Sequence, residues 1–157
     1  MAIHSVRVKL VHPDATLPRK MSDGSAGYDL HAAEPVTVPA ARSTPDGGAE
    51  IGRALVPIGI VLELPDNTVG RIASRSGLST RSNIETGAGW IDSDYRGELF
   101  VLMTWLGEGD SYTVRAGERI AQILISPIPN VSFRVVDFDD LGQTERGEGG
   151  FGSTGRF

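Results

Sequence analysis

Three glycine-punctuated polar clusters in this chain carry the residue types that phosphate chemistry needs. The first is Ser25-Ala26-Gly27-Tyr28-Asp29-Leu30. The second is Gly70-Arg71-Ile72-Ala73-Ser74-Arg75-Ser76-Gly77-Leu78, and the third runs from Gly87 through Asp92, Asp94 and Tyr95 to Glu98. In the second, Arg75 and Ser76 stand at the head of a short candidate helix over 76–81. A guanidinium fork, a hydroxyl and free backbone N–H groups there suit a phosphate. An ordinary surface arginine beside a capping serine would have the same letters. In the third, Gly87 and Gly89 predict a tight hairpin whose backbone approaches a ligand closely. Asp92 and Asp94 share a parity on an extended segment and face either solvent or a pocket. The C-terminal stretch 145–157 sets Arg146, Phe151, Ser153 and Thr154 among glycines. It reads either as a disordered tail or as a strap carrying phosphate-binding and aromatic groups.

Several chemistries are excluded. No GxxxxGK[ST] occurs, and the run Gly149-Gly150-Phe151-Gly152 has no strand–helix unit around it, so nucleotide-binding loops of those kinds are absent. His4, His12 and His31 lack metal-ligand spacing. The absence of cysteine rules out disulfides, thiolate zinc sites and cysteine catalysis. With 15 basic against 20 acidic residues, the net charge of −5 argues against general binding to a nucleic-acid backbone. All the basic residues but Lys9 and Lys20 are arginines, the side chain suited to bidentate anion contacts.

These clusters need a rigid frame, and its pattern is period two. Val6, Val8 and Leu10 share one face. Residues 55–64 read as one strand with Ile58, Ile60, Leu62 and Leu64 inward, bulged or at an edge near Pro57 and Gly59. Further strands are expected over 69–73, 99–105, 112–114, 119–125 and 131–138. Segment 99–105 is apolar on both parities, as between two layers or two subunits. Residues 41–52 read as an aperiodic polar loop. At 157 residues, one domain can bury about two thirds of its surface. Many short strands and little helix point to an all-β sandwich or barrel. No apolar run is long enough to span a bilayer, and no signal-peptide core is visible.

Taken in order, five segments resemble the trimeric deoxyuridine triphosphatase (dUTPase) family. They are Ala26-Gly27-Tyr28-Asp29-Leu30-His31-Ala32-Ala33; the stretch from Gly70 to Gly77; the stretch from Gly87 to Glu98; Gly117-Glu118-Arg119-Ile120-Ala121-Gln122; and Arg146-Gly147-Glu148-Gly149-Gly150-Phe151-Gly152-Ser153-Thr154-Gly155. The resemblance implies a distorted jelly-roll-like β-barrel with one short helix over 1–142 and a flexible C-terminal arm over 143–157. It implies a homotrimer with active sites at subunit interfaces, each closed by a neighbour's arm. The implied reaction is Mg²⁺-assisted hydrolysis of dUTP to dUMP and pyrophosphate, limiting uracil in DNA and supplying dUMP for thymidylate.

Roles follow by position. Asp92 matches the water-activating carboxylate, and Asp29 the residue that holds Mg²⁺ through water. Arg75, Ser76, Gly77 and Gln122 match phosphate contacts. Thr86, Gly89 and Tyr95 match the segment that reads uracil and carries deoxyribose. Arg146, Ser153 and Thr154 match the arm's grip on the γ-phosphate, Phe151 matches the lid over the uracil ring, and Gly152 is a further substrate-binding position of the arm. Three departures stand out: Trp90, where a smaller aliphatic is usual; Trp105, where asparagine is common; and a longer connection over 43–52. A dCTP deaminase of related fold and a non-catalytic scaffold are the rival readings; the third cluster and the complete arm count against both. Stable nucleic-acid or membrane association is not expected, and the implied location is the cytoplasm, or the nucleus in a eukaryote.

Overall fold

The structure, a computed structural model, describes residues 5–149. Strands in chain order are β1 (Arg7–Leu10), β2 (Tyr28–His31), β3 (Val36–Pro39), β4 (Arg42–Ser43), β5 (Ala49–Glu50), β6 (Arg53–Pro57) and β7 (Ile60–Glu63). They continue with β8 (Thr68–Ser74), β9 (Ile84–Gly87), β10 (Trp90–Ile91), β11 (Phe100–Trp105), β12 (Ser111–Val114) and β13 (Arg119–Pro127). Helix α1 (Ser76–Ser82) follows β8 directly, where it was expected. All the strand pairs are antiparallel.

A four-stranded sheet in the order β10-β8-β13-β2 and a three-stranded sheet in the order β6-β11-β9 enclose the core, with the pairs β12-β3 and β1-β7 beside them. This is the distorted jelly-roll-like barrel. Alternation along each strand sends one parity inward: Ile72 from β8, Val101 and Met103 from β11, Ile123 from β13, all buried. Backbone bonds from Ala33 N–H to Pro57 O at 2.8 Å and from Leu99 N–H to Ile60 O at 2.8 Å help join neighbouring strands into that enclosure.

The structure departs from the sequence pattern in four places. Residues 55–64 are two strands in different sheets, because Gly59 turns at φ +71° between them. A Cβ at 59 would lie 2.6 Å from His12 Cβ, so the turn is also too crowded for a side chain. The 41–52 segment is a hairpin, not an open loop: β4 pairs with β5, and Arg42 is ion-paired to Glu50 at 2.7 Å. Its neck is narrow, since a Cβ at Gly52 would fall 2.0 Å from Pro39 O. The expected strand at 131–138 is absent; Phe133 and Val135 are 98% and 99% exposed, with only a 3₁₀ turn at Phe138–Asp140. Alternation needs a neighbouring strand to bond to, and the described residues supply none there. Finally, β9 and β10 do not form a hairpin. β9 pairs with β11 and β10 with β8, so the chain crosses from one sheet to the other at Gly87-Ala88-Gly89.

In β11 only one parity is buried in the protomer: Val101, Met103 and Trp105 point inward. Leu102 faces outward opposite Leu55, which is 60% exposed, and Phe100 is exposed beside them. Trp105 packs inside against Tyr112, their ring centroids 6.5 Å apart, and over Gly107, where a Cβ would meet its Nε1 at 2.3 Å.

Candidate active site

The candidate residues fall into two groups: one gathers at the C-terminal end of β8, and the other runs from Thr86, beside Ser74, to Asp92 at the opposite end. At the C-terminal end of β8, adjacent strands place Asp29 opposite Gln122 and Gln122 opposite Ala73. Asp29 is the one buried charged residue among the described residues, and two guanidinium groups flank it. Arg119 Nη1 donates to its Oδ2 at 3.2 Å, and Arg75 Nε lies 3.5 Å from its Oδ1. Arg75 is held again where its Nη1 donates to Arg119 O at 2.8 Å. Gln122 Nε2 donates to Ser74 O at 3.1 Å. Gly27 leaves the room for this, because a Cβ there would sit 2.4 Å from Gln122 Oε1. Two arginines against one carboxylate leave an excess positive charge, which suits a polyanion. Ser76 and Gly77 open α1 and are exposed, in a first turn whose N–H groups lack intrahelical acceptors.

His31 lies on the same strand face as Asp29, opposite Arg119. Burial holds its imidazole below the usual 6.5; Arg119, Arg75 and Arg19 push the same way and Asp29 opposes them. Its Nδ1 is buried with no hydrogen-bond partner among the described residues.

The second group occupies 84–98. Glu85 accepts from the Ser74 hydroxyl at 2.7 Å and from Ser79, and Ser74 Oγ accepts from Thr86 N–H at 3.0 Å. These serine bonds hold the Glu85 carboxyl below the usual glutamate range. Thr86 is thereby tied to the end of β8. The crossing that follows needs a left-handed residue, and that residue is Ala88 at φ 45°, not either glycine. Gly89 is required for close packing instead: a Cβ there would fall 2.4 Å from Ile72 O, and Ile72 N–H donates to Gly89 O at 2.7 Å.

Beyond Ile91 the chain turns rather than extends, so Asp92 and Asp94 are not on one strand face. Tyr95 N–H donates to Asp92 O at 3.1 Å, and Arg96 Nη1 clamps the turn through Ser93 O at 2.7 Å. Asp92 is exposed. The Tyr95 hydroxyl donates to Glu98 O at 3.0 Å, so the ring, not the hydroxyl, is what Tyr95 offers a ligand. Trp90 is 66% exposed and stands at the rim of this segment.

Asp92 and Arg75 are separated within one protomer. Trp90 lies opposite Arg71 and Ile91 opposite Gly70, so Asp92 leaves the sheet beside Val69. The backbone stays extended through Arg75 at φ −89°, ψ 127°. The steps from 69 to 75 therefore span roughly 20 Å at about 3.3 Å per residue. Arg146 is brought to neither group; its Nε donates to Gly149 O at 2.7 Å inside its own exposed turn. Phe151, Gly152, Ser153 and Thr154 lie outside the described residues.

The dUTPase family model matches residues 13–155. The chain belongs to the dUTPase family. The deoxyuridine 5′-triphosphate nucleotidohydrolase of Candida albicans is 43% identical over 152 residues, covering 97% of this chain and 89% of the relative. That of Paramecium bursaria Chlorella virus 1 is 44% identical over 151 residues, covering 96% and 98%. A solved structure of a Staphylococcus bacteriophage 80alpha dUTPase mutant with dUpNHpp superposes at a TM-score of 0.80 with 27% identity, covering 98% of this chain and 99% of that one. The chain is accordingly an enzyme, a dUTP diphosphatase.

Within this dUTPase the structure adds residues that the sequence motifs did not single out for a role. Arg119 lies inside the Gly117-to-Gln122 motif, yet only the fold shows it paired with Asp29. Ser74 and Glu85 latch the crossing to the phosphate end. Their signal is weak, because hydroxyls and a glutamate beside strands are common surface residues. Among the described residues no three His, Asp or Glu side chains gather as a metal cage. One hard carboxylate beside a polyanion site does fit Mg²⁺, which keeps most of its waters and is shared with substrate phosphates.

Proposed function

We propose that this dUTP diphosphatase works as a homotrimer whose active site is assembled from two protomers and closed by an arm from a neighbour. The observation that carries this is the separation of roughly 20 Å between Asp92 and Arg75 along β8. A base and a phosphate clamp so far apart cannot serve one α-phosphorus, whereas a second copy can bring its own Asp92 to the first copy's Arg75. The outward Leu102–Leu55 face and the unpaired 131–138 segment support a partner of the same sequence. The described barrel and a C-terminal arm over 143–157 would then be separate working parts, with Arg146, Ser153 and Thr154 on the γ-phosphate, Phe151 over the base and Gly152 as a further substrate contact.

In the reaction Asp92 orients a water and takes its proton as the oxygen bonds to the α-phosphorus. The bond from that phosphorus to the bridging oxygen breaks, releasing pyrophosphate and leaving dUMP. Arg75, Ser76, Gly77 and Gln122 hold the chain of phosphates in line, and Arg119 keeps Asp29 and Arg75 in place. Mg²⁺, when bound with substrate near Asp29, supplies charge neutralisation on the phosphates. Gly89 offers backbone donor and acceptor groups to the uracil edge, and Tyr95 presents its ring to deoxyribose. Such a reader rejects cytosine by its reversed hydrogen-bond polarity and thymine by its methyl. The product would feed thymidylate formation while uracil is kept from DNA, in the cytoplasm or nucleus.

The test is complementation. Arg75→Ala and Asp92→Asn proteins are each assayed alone, then unfolded together and reassembled. With a composite site, about a quarter of the sites in a random equal mixture pair an intact Arg75 with an intact Asp92, and activity returns. Mixtures as inactive as the parents would place both residues of a site in one chain.

A further inference from the structure

We propose that Arg71 and Trp90 form a brace that positions the segment from Gly89 to Asp92, and that this pair sets how strictly the enzyme separates dUTP from dTTP. The inference rests on the reading of that segment as the one that holds uracil. Strand β10 is only two residues long and lies at a sheet edge, with β8 as its one strand neighbour among the described residues. So short a ladder is marginal by itself. On its upstream side Ala88 holds a left-handed φ of 45°, a conformation that an alanine keeps only when its surroundings impose it. On its downstream side lies the exposed turn that carries Asp92.

Arg71 connects these pieces. It pairs directly with Trp90 across the ladder, and its guanidinium carbon lies 5.0 Å from the Trp90 ring centroid. The same guanidinium reaches Gly89, where an added Cβ would be 2.8 Å from Nη1. On its other side Arg71 is paired with Leu124 of β13. One side chain therefore touches both the backbone that would read the base and the ring that precedes Asp92 by two residues. Exclusion of a 5-methyl group depends on that backbone holding its place to within a fraction of an ångström. Loosening the brace should admit thymine before it harms the phosphate chemistry. Neither side chain is placed against the reacting atoms, so both are positioning residues.

The experiment measures kcat and KM for dUTP and dTTP on the full-length trimer of the parent, Trp90→Leu, Trp90→Phe, Arg71→Met and the double variant Trp90→Leu/Arg71→Met. Trp90→Leu should cut the dUTP-over-dTTP selectivity by about tenfold, mostly through a lower KM for dTTP. Trp90→Phe, which keeps a ring for the cation, should recover most of that loss. Arg71→Met should mimic Trp90→Leu, and the double variant should be no worse than the poorer single. If Trp90→Leu does not assemble, Arg71→Met with Trp90→Phe carries the same comparison. Parental selectivity in Trp90→Leu and Arg71→Met, or full additivity in the double variant, overturns the brace. Emission from Trp90 in a Trp105→Phe background, read on saturation with dUMP, tells the two failures apart. A dUMP-induced change with unaltered selectivity removes the brace alone. Unaltered emission with unaltered selectivity removes the uracil reading of the segment as well.

Discussion

The two ends of β8 are built on different principles. At the Ser74 end, Asp29, Arg75, Arg119 and Gln122 hold one another through side-chain and backbone bonds on three adjacent strands. At the Gly70 end, the segment 88–95 hangs on a two-residue ladder, a left-handed alanine and an arginine–tryptophan stack. The charge-binding half is thus organised before any ligand arrives, while the base-reading half is a thin edge. Highly charged phosphates gain most from a fixed array of donors, since none must be reoriented during the reaction. Base discrimination needs only a small steric and hydrogen-bond difference, which a short backbone segment can provide.

Three substitutions sharpen or break that contrast. Asp92→Asn should have the largest effect, a fall in kcat of about 10²–10⁴ with dUTP affinity largely kept. Its measurement is steady-state turnover beside equilibrium binding of dUpNHpp; near-normal turnover would remove Asp92 as the base. Asp29→Asn attacks the other end. It leaves Arg75 and Arg119 facing each other without their counter-charge and should cost about 1–3 kcal/mol of stability. Affinity for dUTP should fall as well, so thermal unfolding and substrate titration should move together. A stable variant with full affinity would show that the array does not depend on its carboxylate.

The smallest effect concerns the latch between the two ends. The Glu85 carboxyl is held below its ordinary value of 4.5 by the hydroxyls of Ser79 and Ser74. A carboxylate with a depressed folded-state pKa contributes stability that is full above the unfolded value and is lost as pH falls through the folded one. The parent should therefore exceed Glu85→Gln in unfolding midpoint at neutral pH, and the difference should shrink on acidification below 4.5. A difference independent of pH would mean that the charge on Glu85 is irrelevant to the latch.

Much of this was legible in the residues themselves, for identifiable reasons. Strands such as β8, β12 and β13 alternate, and their partners lie in the same protomer. The short helix read over 76–81 is present, one residue longer, as Ser76–Ser82. The gathering of Asp29, Arg75 and Gln122 followed from the motif match and became geometry once β2, β8 and β13 were adjacent. What stayed hidden depends on contacts that no local pattern records. The 131–138 segment alternates like a strand but has no strand neighbour among the described residues. Gly59 divides one apolar run into two sheets through a left-handed turn that His12 and Ala15 crowd too closely for any side chain. The stretch from Gly87 to Gly89 resembles a hairpin turn, yet β11 and β8 compete for its flanks and draw them into different sheets.

The hairpin of β4 and β5 has a use of its own. It closes on an Arg42–Glu50 pair above a neck at Gly52 that admits no side chain, and its tip beyond that pair is exposed. Doubling the length of such a loop costs only about 0.6 kcal/mol in closure entropy. The tip at Pro45-Asp46-Gly47 is therefore a port at which a peptide tag or fluorophore site can be spliced in while the catalytic frame is left as it is. Because the chain has no cysteine, a single one placed there would also be its sole thiol for labelling.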